Sequence, residues 1–191
     1  MAEPAIPSPQ SALGALPAAR LAVRLQERPD LLIRQIAVWR EAEVAALRVL
    51  LAERLGLALP DGLDAAGGDG RLVLPIAPRR WWLVEDRERG AGLAGVLGRR
   101  AALTDLSHAR SVLRLGGPAA RDVLAKLCRI DLHPSALPPG RVVQTALGQV
   151  PTLIHALEQE PGFDLYLPRS LAVSAAASLI DAAEEFADAP D

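Results

Sequence analysis

The chain has little of what a self-contained catalytic or metal centre is built from. Its 191 residues include a single cysteine, Cys128, and only three histidines. One cysteine excludes an intrachain disulfide and a cysteine-rich zinc site. The longest apolar run is far shorter than the roughly 18 residues that a membrane-spanning helix needs. We therefore expect a protein of a reducing compartment, the cytoplasm, with no membrane partner.

The charge balance of the chain also points to no particular function. With 21 basic and 23 acidic residues the net charge is −2, which gives no electrostatic footprint for nucleic acid. Lys126 is the only lysine and asparagine is absent, a bias that a GC-rich bacterial genome explains without any special arginine chemistry. Half of the residues are apolar, which is enough material for a folded core.

The two ends of the chain differ in composition from the part between them. Met1–Pro17 contains four prolines and lacks the basic start of a secretory leader. We predict an N-terminal arm over residues 1–20 with little to anchor it, one domain over residues 21–187, and a tail over residues 188–191. The chain has only six aromatic residues, so we expect aliphatic side chains to supply most of any partner surface.

Strand-like and helix-like segments alternate between these ends. Apolar residues spaced by three and four predict a helix over Glu41–Leu55, and Gly56 supplies its end. Further helices are predicted over Gly92–Arg99, from Pro118 to Cys128, and after Ser170, which is expected to cap the last one. Strands are predicted at Leu31–Trp39, Arg71–Ile76, Trp81–Glu85, Leu103–Leu115, Val142–Leu147, Val150–Leu157 and Phe163–Leu167.

The order of these segments repeats once along the chain. Pro60-Asp-Gly62 corresponds to Pro138-Pro-Gly140, an offset of 78 residues (62 to 140), and the tryptophan strand from Trp81 corresponds to the strand from Phe163. The halves run over about residues 30–100 and 103–187. We predict an α+β fold of two pseudo-duplicated halves, each an antiparallel sheet with helices packed on it, sharing one core.

Residues that could carry chemistry do not form a recognisable set. The three histidines lie far apart, without metal-ligand spacing, at His108, His133 and His155. On a single strand Asp105 and Ser107 would share a face opposite to His108, which excludes a catalytic relay. Cys128 is predicted to be a core residue. Gly67–Gly70 is not a phosphate-binding P-loop, because no Gly-Lys-Ser/Thr follows it, and it is predicted to be a flexible insertion. We therefore predict no catalytic, cofactor-binding or metal-binding residue.

Five residues are candidates for contact with a partner. Adjacent tryptophans on a strand face opposite sides, so one of Trp81 and Trp82 is expected in the core. The other, beside Arg79 and Arg80, is expected to contact a partner, because Trp and Arg are the residue types that anchor interfaces. His108 and Arg110 join them as polar residues on a strand otherwise built for a core.

Several stretches of the second half resemble one known family. They are Thr104-Asp-Leu-Ser-His-Ala-Arg-Ser-Val-Leu-Arg-Leu-Gly-Gly-Pro118, Ala119-Ala-Arg-Asp-Val-Leu-Ala-Lys126, Asp131-Leu-His-Pro134, Gln144-Thr145 and Gly162-Phe-Asp-Leu-Tyr-Leu-Pro-Arg-Ser170. Together they closely resemble the gamma subunit of bacterial heterotetrameric sarcosine oxidase. In the first half, Trp81-Trp-Leu-Val84 and the Ser8–Leu13 arm are similar to that family. Leu127-Cys-Arg-Ile130 departs from the family's Gly-Cys-Pro-Leu type of turn.

The resemblance implies a non-catalytic subunit that assembles with alpha, beta and delta chains. In that family FAD, FMN, NAD and zinc belong to the complex, the beta chain demethylates sarcosine, and the alpha chain passes the one-carbon unit to tetrahydrofolate. The gamma fold is similar to the folate-binding part of the glycine-cleavage T-protein. Two alternatives remain open: the matching subunit of a dehydrogenase for another N-methyl amino acid, such as N-methylglutamate, and a stand-alone folate-binding protein of the T-protein type.

Overall fold

The structure, a computed structural model, describes residues 11–13, 23–68, 70–87, 93–158 and 162–186. These residues form strands β1 to β10 at Arg24–Glu27, Leu31–Ala37, Ala66–Gly68, Arg71–Ala77, Arg80–Asp86, Ala102–Asp105, Arg110–Gly116, Val142–Leu147, Val150–Ala156 and Gly162–Pro168. The helices α1 to α4 span Glu41–Leu55, Leu93–Leu97, Ala120–Leu127 and Ala172–Glu184.

The strands form two five-stranded antiparallel sheets of the same topology. The first sheet has the order β3-β4-β5-β2-β6, and the second, written in the corresponding direction, has the order β8-β9-β10-β7-β1. The halves exchange one strand: β1, which precedes β2 along the chain, pairs with β7, while β6, which precedes β7, pairs with β2. The sequence-predicted duplication is thus present in space, and the exchange ties the halves together.

The sheets and helices form four layers, and one apolar cluster lies between each pair of adjacent layers. The outer face of the first sheet packs against α1 and α2, and the outer face of the second sheet packs against α3 and α4. The inner faces of both sheets share the third cluster, where Trp82 of one sheet contacts Tyr166 of the other at a ring-centroid distance of 6.2 Å. The predicted class, an α+β pseudo-duplicated fold whose halves share a core, is confirmed.

The first helix shows how local sequence sets the ends of an element. The side chain of Glu43 accepts hydrogen bonds from the backbone N–H groups of Trp39 and Arg40, which satisfies donors that a helix start leaves free. Gly56 ends α1 with φ +65°, a left-handed conformation that glycine adopts without steric cost. Both bounds agree with the sequence prediction of a helix over Glu41–Leu55.

The predicted long strand Leu103–Leu115 is wrong, because it is two strands in different sheets. The chain turns between β6 and β7, where the N–H groups of Ala109 and Arg110 both donate to the carbonyl of Leu106. The side chain of Asp105 stabilises the turn by accepting from the N–H of Ser107 at 2.8 Å. The strands that follow this turn nevertheless begin and end near their predicted bounds.

Three smaller expectations also need correction. Gly67 and Gly68 belong to the edge strand β3, which pairs with β4, so the described part of Gly67–Gly70 is an ordered hairpin rather than a flexible insertion. Ser170 lies in a 3-10 turn before α4, and no side chain caps that helix. The prediction of an arm with little to anchor it is wrong at Ser11–Leu13, while the rest of residues 1–20 and the tail at 188–191 lie outside the described residues.

The described part of the arm is held by one carboxylate. Glu27 of β1 accepts a hydrogen bond from the hydroxyl of Ser11 and another, at 3.0 Å, from the backbone N–H of Ala12. Ala12 and Leu13 pack against the apolar cluster of the second sheet. The domain boundaries at residues 21 and 187 remain a proposal.

Candidate functional site

The two adjacent tryptophans occupy opposite faces of β5, and both are buried. Trp81 packs in the cluster beneath α1, and Trp82 packs between the sheets. The sequence predicts that one indole faces a partner, whereas the structure leaves 5% of Trp81 and 7% of Trp82 exposed. Neither indole faces solvent in this chain, because both faces of the first sheet are covered, one by helices and one by the second sheet, and contact with a partner stays a prediction.

The other candidates differ in their exposure. Arg80, at the start of β5, and His108, in the turn between β6 and β7, are exposed. Arg110 is half-buried, with its guanidinium carbon 5.3 Å from the centroid of the Trp82 ring, so it covers that indole from the solvent side. The structure therefore does not bring the five candidates together on one surface.

A different tryptophan is the prominent aromatic residue of the surface. Trp39, between β2 and α1, is 76% exposed. Its backbone N–H donates to Glu43 at 2.8 Å, and its carbonyl accepts from Nη1 of Arg79 at 3.0 Å. The N–H groups of Trp39 and Arg40 lower the pKa of Glu43, so that this carboxylate stays charged in its role as the cap. The backbone that presents the exposed indole is thus fixed from both sides.

Arg79 lies in the turn between β4 and β5 and adopts φ +60°, a region that non-glycine residues rarely occupy. Pro78 precedes it, which gives the residue order of a type II turn with arginine at the position that favours glycine. The carbonyl of Arg79 also accepts from the N–H of Val38 at 3.1 Å. The strained turn is therefore bonded to the segment that carries Trp39.

An apolar groove of about 630 Å³ adjoins this turn. It lies between α1, the end of β4 with its turn, and the edge strand β8 of the second sheet, and Arg79 is among its lining residues. Its apolar lining comes from both halves of the chain and includes Val44, Leu63, Pro75, Ile76, Trp81 and Val142, while Glu41 and Asp61, the latter paired with Arg48, also line it. Leu63 is 56% exposed at its border. The groove is open to a side chain or peptide segment, and Trp81 lies at its base.

A second cleft, of about 800 Å³, contains most of the buried polar groups of the inner layer. Arg114 forms two hydrogen bonds of 2.7 Å with the carboxylate of Asp164, and the neighbouring His155 is buried. Nδ1 of His155 has no hydrogen-bond partner among the described residues. Burial lowers the pKa of His155, although the charges of Asp164 and Glu158 oppose this effect. The arginine and aspartate neutralise each other, while Arg28, Arg71, Asp86 and Glu158 also line the cleft.

Asp105, Ser107 and His108 do not share one strand: the turn after β6 brings them together, and although burial opposes it, hydrogen bonds from Ser107 and the charge of His108 lower the pKa of Asp105. Ser107 Oγ accepts from the N–H of Ile33 at 3.0 Å, which fixes it within the backbone network. Burial raises the pKa of the Cys128 thiol to about 11, so this cysteine is an unreactive core residue. Within the described ranges no group of three or more His, Cys, Asp or Glu residues has the arrangement of a metal site. Nor does any helix of this part of the chain have the length and apolarity to span a membrane.

The fold and sequence both match known proteins. The family described as the GCVT N-terminal domain matches residues 73–190. The gamma subunit of sarcosine oxidase from Arthrobacter sp. is 36% identical over 168 residues, which cover 81% of each chain. The chain belongs to the sarcosine oxidase gamma-subunit family. The gamma subunit from Corynebacterium sp. strain P-1 is 38% identical over 146 residues, covering 73% of this chain and 71% of that one.

Solved structures agree with this membership. A chain of the heterotetrameric sarcosine oxidase from Corynebacterium sp. U-96 matches with a TM-score of 0.77 and 31% identity, covering 88% of this gamma-family chain and 87% of that one. The aminomethyltransferase T of the glycine cleavage system from Bartonella henselae matches with a TM-score of 0.61 at 18% identity. That match covers 83% of this chain and 45% of the transferase, and it shows a shared fold.

Sequence reasoning identified Arg79 as a neighbour of a contact tryptophan but missed Trp39, the indole that the structure exposes next to it. Trp39 ends an apolar run and is therefore read as part of the strand Leu31–Trp39, whereas the strand ends at Ala37. Glu43, four residues after Trp39, was a usable signal, since a glutamate at this position of a helix start caps the preceding backbone. The positive φ of Arg79 has no signal of this kind, because Pro-Arg is compatible with several turn types.

Proposed function

We propose that this chain is a non-catalytic subunit that stabilises a heterotetrameric sarcosine oxidase. The observation that supports this most directly is the likeness over nearly the whole length of both chains to a chain of such a complex. Ser107 and Cys128 fit the same proposal: Ser107 Oγ accepts from a backbone N–H, burial raises the pKa of the Cys128 thiol, and neither is therefore activated as a nucleophile. The complex would oxidatively demethylate sarcosine to glycine and pass the one-carbon unit to tetrahydrofolate.

The proposed partners are the alpha, beta and delta subunits. FAD, FMN, NAD, tetrahydrofolate and zinc would be held by those subunits, with none bound by this chain, and the assembly would be cytoplasmic. Arg80 and His108, both exposed, are proposed contact residues of this chain. Arg110 and Trp82 would act as a unit, because a shift of the guanidinium would uncover the indole. Trp81 would be reached only through the groove.

Co-expression with the other three subunits tests the proposal. We expect a tagged version of this chain to recover the flavin-containing complex, and the complex to oxidise sarcosine. The purified chain alone should be colourless, should not release peroxide from sarcosine, and should show no micromolar heat of binding with tetrahydrofolate in calorimetry. Bound flavin or sarcosine turnover in the lone chain would contradict the non-catalytic role. Folate binding by the lone chain would favour a T-protein-like module.

A further inference from the structure

The exposed surface around Trp39 combines features that anchor protein interfaces. Trp39 is the most exposed of the large apolar residues in the described part of the chain, at 76%. Tryptophan and arginine are enriched among the residues that contribute most to binding energy, and Arg40, Arg79 and Arg80 surround this indole in sequence and across the β4–β5 turn. The surface is therefore defined by these four residues, which we call the Trp39 surface.

The backbone of the Trp39 surface is organised before any partner binds. Three hydrogen bonds fix it: Trp39 to Glu43, Arg79 to the carbonyl of Trp39, and Val38 to the carbonyl of Arg79. A residue held in a sparsely populated conformation persists only where its surroundings enforce it, and such strain concentrates at functional sites. The φ of +60° at Arg79 is an observed case of this kind. Such preorganisation reduces the ordering cost of association.

The charges of this surface indicate the chemistry of its partner. All three arginines are exposed. Within the part of the chain that the structure describes, no carboxylate forms an ion pair with any of them, whereas the other arginine pairs include Arg34–Glu85 and Arg114–Asp164. Two carboxylates adjoin these arginines: Glu43, which is bonded to two backbone N–H groups and feels the charges of Arg40 and Arg79, and Glu41, which lines the neighbouring groove, so that three guanidiniums outnumber two carboxylates. A carboxylate from outside the chain is the complementary group.

The groove beside Arg79 adds an apolar requirement. Arg79 is common to the Trp39 surface and to the groove of about 630 Å³, so the two are continuous. A segment whose acidic side chain meets the arginines would place its neighbouring side chains in the groove, against Leu63, Ile76 and Trp81. We propose that the Trp39 surface and this groove bind one segment of another subunit, in which a carboxylate adjoins apolar side chains. This inference rests on the proposed function.

The first test is a competition for assembly. Wild-type chain and a Trp39→Ala variant, with different tags, are co-expressed with the other three subunits, and their ratio in the purified complex is measured. We expect the variant to be depleted about tenfold or more, as for the loss of an anchoring aromatic residue. Val173→Ala is the matched control, because Val173 is 62% exposed on α4 in the opposite helical layer. The control should enter the complex as the wild type does.

A second variant separates docking from folding. Arg79→Gly removes the guanidinium and relieves the positive φ, so the thermal midpoint of the isolated chain should not fall. Its entry into the complex should nevertheless drop about tenfold. Wild-type assembly should also weaken as NaCl rises from about 0.05 to 0.5 M, and the Arg79→Gly complex should respond less, because one screened charge pair is missing.

The possible outcomes distinguish this inference from the proposed function. If the wild-type chain does not enter the complex, the proposed function fails. If the wild type enters and Trp39→Ala enters equally well, the docking inference is wrong while the proposed function stands. Salt-independent assembly would contradict the acidic partner segment. Self-association of the isolated chain that Trp39→Ala abolishes would instead make this surface an interface between two copies, and would also overturn the inference.

Discussion

At the scale of single residues, the most demanding position is a carboxylate on the outer face of the first sheet. Glu85 is 2% exposed and contacts two guanidiniums, those of Arg34 and, at 2.9 Å, of Arg71. Removing one partner of a buried ion pair leaves the other charge without compensation in a poorly solvated place, and this costs more than the pair itself contributes. The loss of Glu85 should therefore cost more free energy than the ion pairs contribute, because it leaves the two guanidinium charges uncompensated.

Glu85→Ala should lower the free energy of unfolding by about 3–5 kcal/mol, measured by chemical denaturation of the isolated chain. The matched control is Asp61→Ala, which removes an exposed partner of Arg48 and should cost no more than about 1 kcal/mol. Equal effects of the two substitutions would mean that the buried carboxylate is not the group that neutralises Arg34 and Arg71.

A second residue makes stability depend on pH. Burial lowers the pKa of His155 in the folded chain. The imidazole of the unfolded chain therefore takes up a proton near pH 6.5, whereas that of the folded chain is protonated only at lower pH. The unfolded state then binds more protons, and stability falls as the pH decreases below this value. The loss should begin before the carboxylates with lowered pKa values, Glu43 and Asp105, contribute in more acidic solution.

We expect the free energy of unfolding to fall by up to about 1.4 kcal/mol per pH unit between pH 6.5 and 5. His155→Gln should flatten this slope, whereas His133→Gln, at an exposed imidazole, should retain it. Denaturant titrations at several pH values provide the measurement. A slope that persists unchanged in His155→Gln would assign the proton uptake to another group.

At the scale of elements, one edge hairpin depends on a backbone contact. Gly67 of β3 has φ +153°, and a Cβ atom placed on it would lie 2.2 Å from the carbonyl oxygen of Arg71. Real Cβ atoms do not approach backbone this closely, so any side chain must move the strand β3 away from β4. Gly68 has open space around the same position.

Gly67→Ala should destabilise the chain by about 1–3 kcal/mol and increase hydrogen exchange in β3, while Gly68→Ala, next to it, should be close to neutral. Thermal unfolding and amide exchange check both. If the two alanine variants behave alike, the close approach of β3 to Arg71 is not a constraint on this hairpin.

The elements also show what the sequence does and does not reveal. Helix α1 and the hairpin of β8 and β9 were predictable, because apolar spacing and the glycines Gly56 and Gly148 mark them locally. The break between β6 and β7 was not, since Leu106–Ala109 contains neither glycine nor proline. Only the Asp105-Leu-Ser107 pattern indicates a turn. Strand β1 was not predicted. It pairs with residues far along the sequence, Arg24 with Gly116 for example, and such pairing leaves no local sequence pattern.

The same distinction applies to the candidate site. The sequence identifies tryptophan and arginine as contact types, but exposure depends on which faces the tertiary fold covers. Trp81 and Trp82 are buried because helices cover one face of the first sheet and the second sheet covers the other. Trp39 remains outside because β2 ends two residues before it.

At the scale of the whole molecule, the two halves are not independent folding units. The second sheet receives β1 from the first half, and both sheets contribute to the inner cluster that contains Leu31, Trp82 and Tyr166. A fragment that starts after residue 100 would lack an edge strand and would expose the inner face of its sheet. Unfolding should therefore be cooperative over the entire chain.

Far-UV and near-UV circular dichroism should report a single coincident transition for the full chain. Separate fragments of residues 1–100 and 101–191 should show no cooperative transition alone, and mixing them should restore one if the exchange of β1 and β6 is what unites them. Stable folding of either fragment alone would contradict this dependence.

The exchange of strands also sets an order of events during synthesis on the ribosome. Strand β1 leaves the ribosome early, but its partner β7 exists only after the whole first half has been made, and β2 likewise waits for β6. Until then the nascent chain carries an open sheet edge and a bare inner face, which are sites of misassociation. We expect chaperones to hold this subunit until translation has passed β10, so that it meets its partner subunits only as a finished chain.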